Sequence, residues 1–526
     1  MVITPDDTKL LDDHHVLLEH AILASARDPF DPMERALHAA GDRLLGQTEH
    51  LHPDWSLIRA YPLSPKLAAV SQAWRCGQNG EFVIASKGAP EAIAELCQMS
   101  VESREAMARQ VEAMASEGLR VLGVARGTSN AEKLPDVQDD LVLELIGLLG
   151  FEDPLRPNVS AAVDECQTAG IRVIMVTGDY PATAQSIARQ AGLANCDNVI
   201  TGPDLDNLND AELATQAKSV GIFARVLPEQ KLRIVNALKA NQEVVAMTGD
   251  GVNDAAALKS AHIGIAMGGR GTDVAREAAD LVLLDDDFSS IVAAIRLGRR
   301  IYDNIRKAIA FTFAVHVPIA GLSMLPVFFV GWPLLLLPTH IVFLELIIDP
   351  SCSLVFEAEA AESNVMKCPP RGPKDRLFSL DTVGIAVLQG LSMLAVCIGV
   401  FLFSMQTHTH QEARALTFGT LVVSVLVVLL ANRSANRTIV GGLRSPNVAL
   451  WFVVGGAVIF LPLVLLLPLA QQVFRFAPVR PGDLVLSLGA GLACALWFDL
   501  LKLSKRWARL HAAHDHAMAT TSVGVS

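Results

Sequence analysis

The sequence predicts an α/β soluble half built from two parts, followed by an all-α half of six membrane helices. Three observations carry that prediction. Up to about residue 300, short apolar runs ending in Gly-rich turns alternate with helical stretches. Beyond it come apolar stretches of about 20 residues, the length that crosses a bilayer. The charge divides at the same place: the first 300 residues carry −16 and the remainder +4. With 51% hydrophobic and 19% charged residues and a mean hydropathy of +0.37, the chain is too apolar for a disordered protein or an ordinary soluble enzyme. The acidic half excludes nucleic acid as a partner. Eight cysteines without a CxxC spacing suggest neither a disulfide framework nor a zinc site. The first 15 residues lack the basic and apolar regions of a secretory signal.

In the soluble half, VLELIGLLGF (142–151), IRVIMVTGD (171–179) and EVVAMTGDG (243–251) read as strands that deliver turns. SAAVDECQTAG (160–170) and PEQKLRIVNALKA (228–240) read as the helices between them. Strand, turn and helix in that order predict a parallel, doubly wound sheet that binds ligands at the carboxyl ends of its strands. The preceding residues differ, with helices over His15–Ala26 and Pro32–Leu44 and strands ending at FVIASKG (82–88). They are expected to form a separate α+β domain. The expected boundaries are 1–140, 141–300, 301–510 for the membrane region, and 511–526 for a tail.

The six spans fall at about 308–330, 334–356, 380–405, 413–431, 447–470 and 482–503. Basic clusters precede the first span (Arg299, Arg300, Arg306, Lys307) and follow the second (Lys367, Arg371, Lys374, Arg376). Others follow the fourth (Arg433, Arg437, Arg444) and the sixth (Lys502, Lys505, Arg506, Arg509). All four clusters fall on one side, which the positive-inside rule assigns to the cytoplasm with the acidic half and both termini. The lipid bilayer is thus one expected partner, in a multi-pass protein of a bacterial-type plasma membrane.

The strongest motif is MTGDGVNDAAALKSAHIGIAMG (247–268). An apolar strand leads to Asp250, and Asp254 follows four residues on, with Asn253 beside it. Carboxylates at strand ends suit Mg²⁺, which takes carboxylate, water and phosphate oxygens. MVTGD (175–179) offers the Thr177 hydroxyl, the Gly178 N–H and Asp179 at another strand end. ARVLPEQK (224–231) places Lys231 at a helix start as a fixed cation for phosphoryl charge. EDPLRP (152–157) is a Pro-braced turn presenting Asp153 and Arg156.

Together and in this order the motifs resemble the phosphorylation domain of P-type cation-transporting ATPases, which has the haloacid dehalogenase fold. The resemblance extends through ADLVLLDDDFSSIVAAIRLGRRIYDNIRKAI (279–309), which leads into the membrane. It implies Mg²⁺ and ATP as cofactors. Asp250, Asp254 and Asn253 correspond to the Mg²⁺ side; Thr177, Gly178, Asp179 and Lys231 to phosphate contacts; Asp153 and Arg156 to a nucleotide–phosphate hinge. SKGAPE (86–91), DPMERAL (31–37) and EGLRVLGVA (117–125) are similar to the family's nucleotide-binding domain. They imply Lys87 in the adenosine pocket, Gly88 admitting the base to the backbone, Glu34 as an acidic contact and Arg120 on a phosphate. Leu63 stands where many members carry an aromatic residue that stacks on adenine.

Six spans after the hinge resemble the ten-span branch that includes the Ca²⁺, Na⁺/K⁺ and H⁺ pumps. VFLELIID (342–349) puts Glu345 and Asp349 on one helical face in the second span. Intramembrane carboxylates line ion paths, and His316 in the first span is expected beside them, all facing the helix bundle. The Ca²⁺-pump pattern differs from Glu345, Ile348, His316 and Ile319. His408 and His410 are expected in an exposed polar loop.

The family's DKTGT nucleophile motif and the TGE string of its actuator domain do not occur in the 526 residues. Three readings stay open at this stage: the C-terminal part of a pump whose actuator and DKTGT reside on a separate N-terminal polypeptide, a truncated gene product, or a catalytically dead, nucleotide-binding pseudo-pump. In each, the chain alone is expected to be inactive.

Overall fold

The structure is a computed structural model. It describes residues 10–29, 31–46, 48–64, 67–76, 82–129, 134–329, 331–372, 377–434, 438–494, 497–500 and 502–504. The tail 511–526 and the basic residues Lys374, Arg376, Arg437, Lys505, Arg506 and Arg509 lie outside the described residues. Contacts divide the chain into two compact units, one reaching Ser289 and the other holding 168–171 and everything from Ser290.

The first unit opens with helices α1 (Asp12–Leu23) and α2 (Pro32–Leu44). Pro32 starts α2 because the first helical position needs no N–H donor. The Asp31 carboxylate caps it, accepting from the Met33 N–H at 2.8 Å. Strands β1 (Ser56–Tyr61), β2 (Ala69–Arg75), β3 (Phe82–Gly88), β4 (Arg120–Ser129) and β5 (Glu144–Phe151) make one antiparallel sheet in sequential order. Helices α3 (Pro90–Leu96) and α4 (Val101–Ser116) separate β3 from β4.

Strand alternation assigns the two faces of this sheet. Ile84 and Phe82 join Ile93 and Leu96 of α3 in one core. Ala85 packs with Leu23 and Ala24 at the end of α1, and Lys87, two residues on, shares that face. The run 142–151, expected in the parallel sheet, pairs antiparallel with β4 instead. A continuous apolar run fits either kind of sheet, and pairing partners decide between them.

The parallel strands form two three-stranded sheets rather than one. The first has the order β6 (Met175–Val176), β8 (Ile222–Ala224), β7 (Val199–Thr201). The second has the order β11 (Leu281–Leu283), β10 (Ile263–Met267), β9 (Ala246–Gly249). Seven helices precede or separate these strands: α5 (Val159–Thr168), α6 (Pro181–Ala191), α7 (Gly202–Asn207), α8 (Asp210–Gln216), α9 (Pro228–Ala240), α10 (Ala255–Ser260) and α11 (Asp273–Ala278). Both sheets share a core in which Phe223, Ile234, Val235 and Val245 pack with Val176 and Met247. β6 is an edge of the first sheet and β9 of the second, and neither has a further strand paired to its outer side among the described residues.

The second unit holds six helices long and apolar enough to cross a membrane: Phe288–Phe328, Pro338–Val355, Leu380–Ser404, His410–Asn432, Val448–Leu466 and Pro481–Ser504. Each overlaps an expected span, the first beginning at Phe288 and so well before the expected 308. The 41 residues of the first are about 60 Å long, twice the hydrocarbon thickness. Pro318 within it cannot donate to the Ala314 carbonyl. Gly390 of the third span packs there, where a Cβ would fall 2.5 Å from that oxygen.

Two charges counted as loop residues have other roles. Arg433 is buried, its Nε and Nη2 donating to the two Glu359 carboxylate oxygens at 2.8 and 3.2 Å. Burial of a charge requires such pairing, so Arg433 fastens the end of the fourth span to the segment that follows the second, instead of meeting solvent. His408 is also not an exposed loop residue: its Nε2 lies 3.0 Å from Asp483 Oδ2, and its side chain is largely covered.

Candidate nucleotide–phosphate site and membrane carboxylates

The sequence-predicted residues of the soluble half fall into distinct groups. In the nucleotide group, Lys87 projects from β3 onto the α1–α2 face. Its Nζ lies 2.6 Å from Glu34 Oε1 and 2.5 Å from Ser25 Oγ. The Ala26 N–H donates to the other Glu34 oxygen at 3.3 Å. Burial is the largest influence on Lys87 and lowers its pKa from the ordinary 10.5, with the Glu34 hydrogen bond and charge opposing. A buried ammonium held by one carboxylate and one hydroxyl is a ready cation for an anionic or polar ligand edge. Gly88 does not serve as expected. A Cβ there would meet Ala68 O at 2.4 Å and the Ala69 Cα at 2.6 Å, so its missing side chain makes room for the neighbouring β2 chain and not for a base.

The phosphate group surrounds the carboxyl end of β6. The Thr177 hydroxyl donates to Asp179 Oδ2 at 3.0 Å and accepts from the Asp179 N–H at 3.1 Å. Between them Gly178 has open space where a Cβ would stand, so an anion can reach its backbone. Arg120, at the start of β4, reaches this loop with Nε 3.6 Å from Asp179 Oδ1.

At the end of β9, Lys231 and Asp254 form a third group, with Nζ 2.6 Å from Oδ1. Lys231 is held in the first turn of α9, which begins at Pro228 and is closed by Gln230 accepting from the Leu227 N–H. Asp254 Oδ2 accepts from the Gly251 N–H at 3.2 Å. Gly249 is required here, since a Cβ would stand 2.5 Å from the Asp254 Cβ. Asp254 is therefore buried with both oxygens engaged, whereas Asp250 and Asn253 are exposed. No cluster of three or more His, Cys, Asp or Glu side chains suited to a metal occurs among the described residues. The donor set at this turn fits an ion that takes most of its oxygens from phosphate and water, which is the habit of Mg²⁺.

Asp153 and Arg156 stand apart from these groups. Both are exposed, and Arg156 donates to the Asp286 carbonyl after β11. Sequence reading missed Ser25, Glu91, Tyr180 and Arg225. The last three lie inside or beside the SKGAPE, TGD and ARVLPEQK strings, but nothing local marks them as partners.

In the membrane, His316 Nε2 lies 3.8 Å from Glu345 Oε1, while its Nδ1 is 2.8 Å from the Thr312 carbonyl oxygen. The carboxylates do not face the bundle as expected. Phe343, Leu344, Ile347 and Ile348 form the buried side of that helix. Glu345 is half-buried and Asp349 exposed, lining an open groove of about 340 Å³ with Ile341, Val342, Leu346 and Pro350. A π-helical turn, Ser351–Val355, follows directly, a distortion common at functional sites.

The model of the cation-transporting ATPase C-terminus matches residues 333–504, and haloacid dehalogenase-like hydrolase models match 61–262 and 230–295. The chain thus carries a region similar to the C-terminus of cation-transporting ATPases and regions similar to haloacid dehalogenase-like hydrolases. A calcium-transporting ATPase of Bacillus subtilis is 33% identical over 475 residues, covering 87% of this chain and 53% of that protein. A probable cation-transporting ATPase F of Mycobacterium tuberculosis is 34% identical over 481 residues, covering 86% and 51%. Calcium-transporting ATPase 1 of Saccharomyces cerevisiae is 35% identical over 409 residues, covering 76% and 42%. The chain thus spans about half the length of the ATPases it matches. Its haloacid dehalogenase-like region holds the phosphate and Lys231–Asp254 groups, and its ATPase C-terminal region holds Glu345 and Asp349.

Proposed function

We propose that these 526 residues form the C-terminal half of an ATP-driven cation pump. In this reading the chain supplies the Mg²⁺–ATP site and half of an ion path, and another polypeptide segment supplies the nucleophile. The observation that carries the reading is the divided parallel sheet. Met175 and Thr177 donate to the Gly221 and Phe223 carbonyls of the neighbouring strand. By alternation, Ile174 and Val176 direct their backbone groups to the opposite, open edge. The Thr177–Asp179 loop ends the edge strand β6 and Asp250 follows the edge strand β9, which supports reading both turns as phosphate contacts. A parallel strand ending in a carboxylate would complete the sheet and bring an attacking group to those turns.

Within that site, Lys87 and Glu34 hold the nucleoside and Arg120 a phosphate. The Gly178 N–H and Thr177 hydroxyl orient phosphate oxygens, and Lys231, fixed by Asp254, neutralises charge developing there. Mg²⁺, when bound at Asp250 and Asn253, supplies charge neutralisation between phosphate and protein. Glu345, Asp349 and His316 offer oxygen and nitrogen ligands to the transported cation, and the names of the relatives make calcium the first ion to assay. In this reading the first unit and both termini lie on the cytoplasmic side, as the one-sided basic clusters favour.

The test is co-expression with the N-terminal half of the Bacillus subtilis relative. The expected result is hydroxylamine-labile ³²P from ATP on the added half, with cation uptake into vesicles, and neither from this chain alone. Acid-stable label on this chain alone would refute the reading.

A further inference from the structure

The first two spans meet along a run of donors that is not an all-oxygen set. His316 follows Thr312 by one turn of the first span. Its Nδ1 lies 2.8 Å from the Thr312 carbonyl oxygen, an atom that can only accept, so Nδ1 is the donor. In the neutral ring Nε2 then keeps its lone pair, and it stands 3.8 Å from Glu345 Oε1 of the second span. Metal-binding histidines are held in this manner, with the other ring nitrogen donating to a backbone carbonyl. Asp349 follows Glu345 at i+4, on the same helical face, and lines the same groove. Three residues further on, the Cys352 Sγ lies 3.4 Å from the Thr312 hydroxyl. A nitrogen, two carboxylates and a thiol are therefore strung along the line where the two helices meet.

Distance and donor type narrow the ion. At 3.8 Å, Nε2 and Oε1 are too far apart for a hydrogen bond, and both present lone pairs. Zinc-type bonds run to about 2.0–2.2 Å for nitrogen and carboxylate oxygen, so one ion between the two atoms reaches both with little movement. The two carboxylates carry two negative charges in a span, and a divalent cation neutralises them. Calcium and magnesium take oxygen ligands, and an imidazole nitrogen offers them little. Nitrogen and sulfur donors instead favour zinc and its first-row neighbours.

We propose that the cation held by His316, Glu345 and Asp349 is a divalent transition metal of the zinc type, selected against calcium by the imidazole nitrogen. This rests on the reading of these three residues as ligands of the transported cation. It replaces the ion that the relatives' names suggest with a softer one. Only His316 and Glu345 face one another directly, and Asp349 stands one turn away. The site is thus open, with positions left for water and for the part of the ion path outside this chain, as release of a transported ion requires.

The experiment uses the full chain in detergent, stripped with a chelator and titrated with Co²⁺. Equilibrium dialysis counts the bound metal, and the visible absorption of Co²⁺ reports its ligands. The expected result is bound Co²⁺ that Zn²⁺ displaces and that about a hundredfold excess of Ca²⁺ leaves in place. His316→Gln and Glu345→Gln should each weaken Co²⁺ by about tenfold or more, with Tm checking that both variants fold. Displacement by Ca²⁺ as readily as by Zn²⁺ refutes the selectivity. Co²⁺ bound equally by wild type and both variants puts the metal elsewhere, and no bound Co²⁺ leaves a plain His–Glu contact; either refutes the site. Phosphate transfer to the co-expressed half without Co²⁺ binding refutes this inference alone. Co²⁺ binding without phosphate transfer refutes the pump reading and leaves a metal site.

Discussion

Replacing Lys87 by Met separates the two roles of the Lys87–Glu34 pair. Met keeps the length of the stem and removes the ammonium, leaving Glu34 Oε1 without its partner at 2.6 Å and Oε2 with only the Ala26 N–H. Breaking a fully buried pair costs about 3–5 kcal/mol. Glu34 is 20% exposed, so water recovers part of that, and removing Lys87 also relieves its own burial. About 1–2 kcal/mol of lost stability is expected, roughly 2–8 °C in Tm for a unit of this size. Glu34→Gln combined with Lys87→Met should recover most of the loss, since neither buried charge remains. Thermal unfolding of the full chain in detergent can follow Trp74, whose indole donates to the Leu23 carbonyl next to this pocket. A coupling energy near zero in the double-mutant cycle would refute the assignment. The Met variant should also weaken Mg²⁺–ATP severalfold by calorimetry, whereas the Gln variant tests the acidic contact separately.

The remaining predictions follow from single contacts. Because burial depresses the Lys87 pKa, the unfolded chain binds more protons between the folded value and 10.5; stability should therefore rise with pH through that window, and Lys87→Met should flatten the rise in a pH series of Tm. Gly249→Ala should cost about 1–3 kcal/mol, because its Cβ must displace Asp254, and a Tm equal to wild type would contradict the packing. Gly390→Val should disrupt the approach to the Ala314 carbonyl and lower thermal stability in detergent, read by loss of the monodisperse peak after heating. Cysteines placed at 406–412 and 438–445 should label from opposite sides of the membrane; labelling from one side would overturn the assigned topology.

Only part of the site was readable along the chain. The TGD and GDGVND strings announced turns at strand ends, which is where β6 and β9 stop, because glycines and short polar side chains after an apolar run favour such turns. Lys231 was legible for a related reason, since Pro228 fixes the helix start three residues before it. The partners were not legible. Glu34 lies 53 residues from Lys87 and Glu91 lies 134 from Arg225, and no periodicity links positions so far apart. Gly88 illustrates the limit: a glycine in a strand announces a close approach but not what approaches.

The sequence by itself determined the division into an acidic α/β half and six apolar helices, because hydropathy and strand–turn–helix order are local properties. Tertiary structure alone decided that 142–151 joins the antiparallel sheet, where β4 offers an edge, and that the parallel strands stand as two three-stranded sheets. It decided as well that Glu345 and Asp349 line a groove rather than the core of the six helices. Helical spacing puts two carboxylates on one face, but only the packing of Phe343, Leu344, Ile347 and Ile348 fixes where that face points. Arg433 went the same way, from a loop charge in the sequence to a buried partner of Glu359, because a charge leaves water only where another chain segment pairs with it.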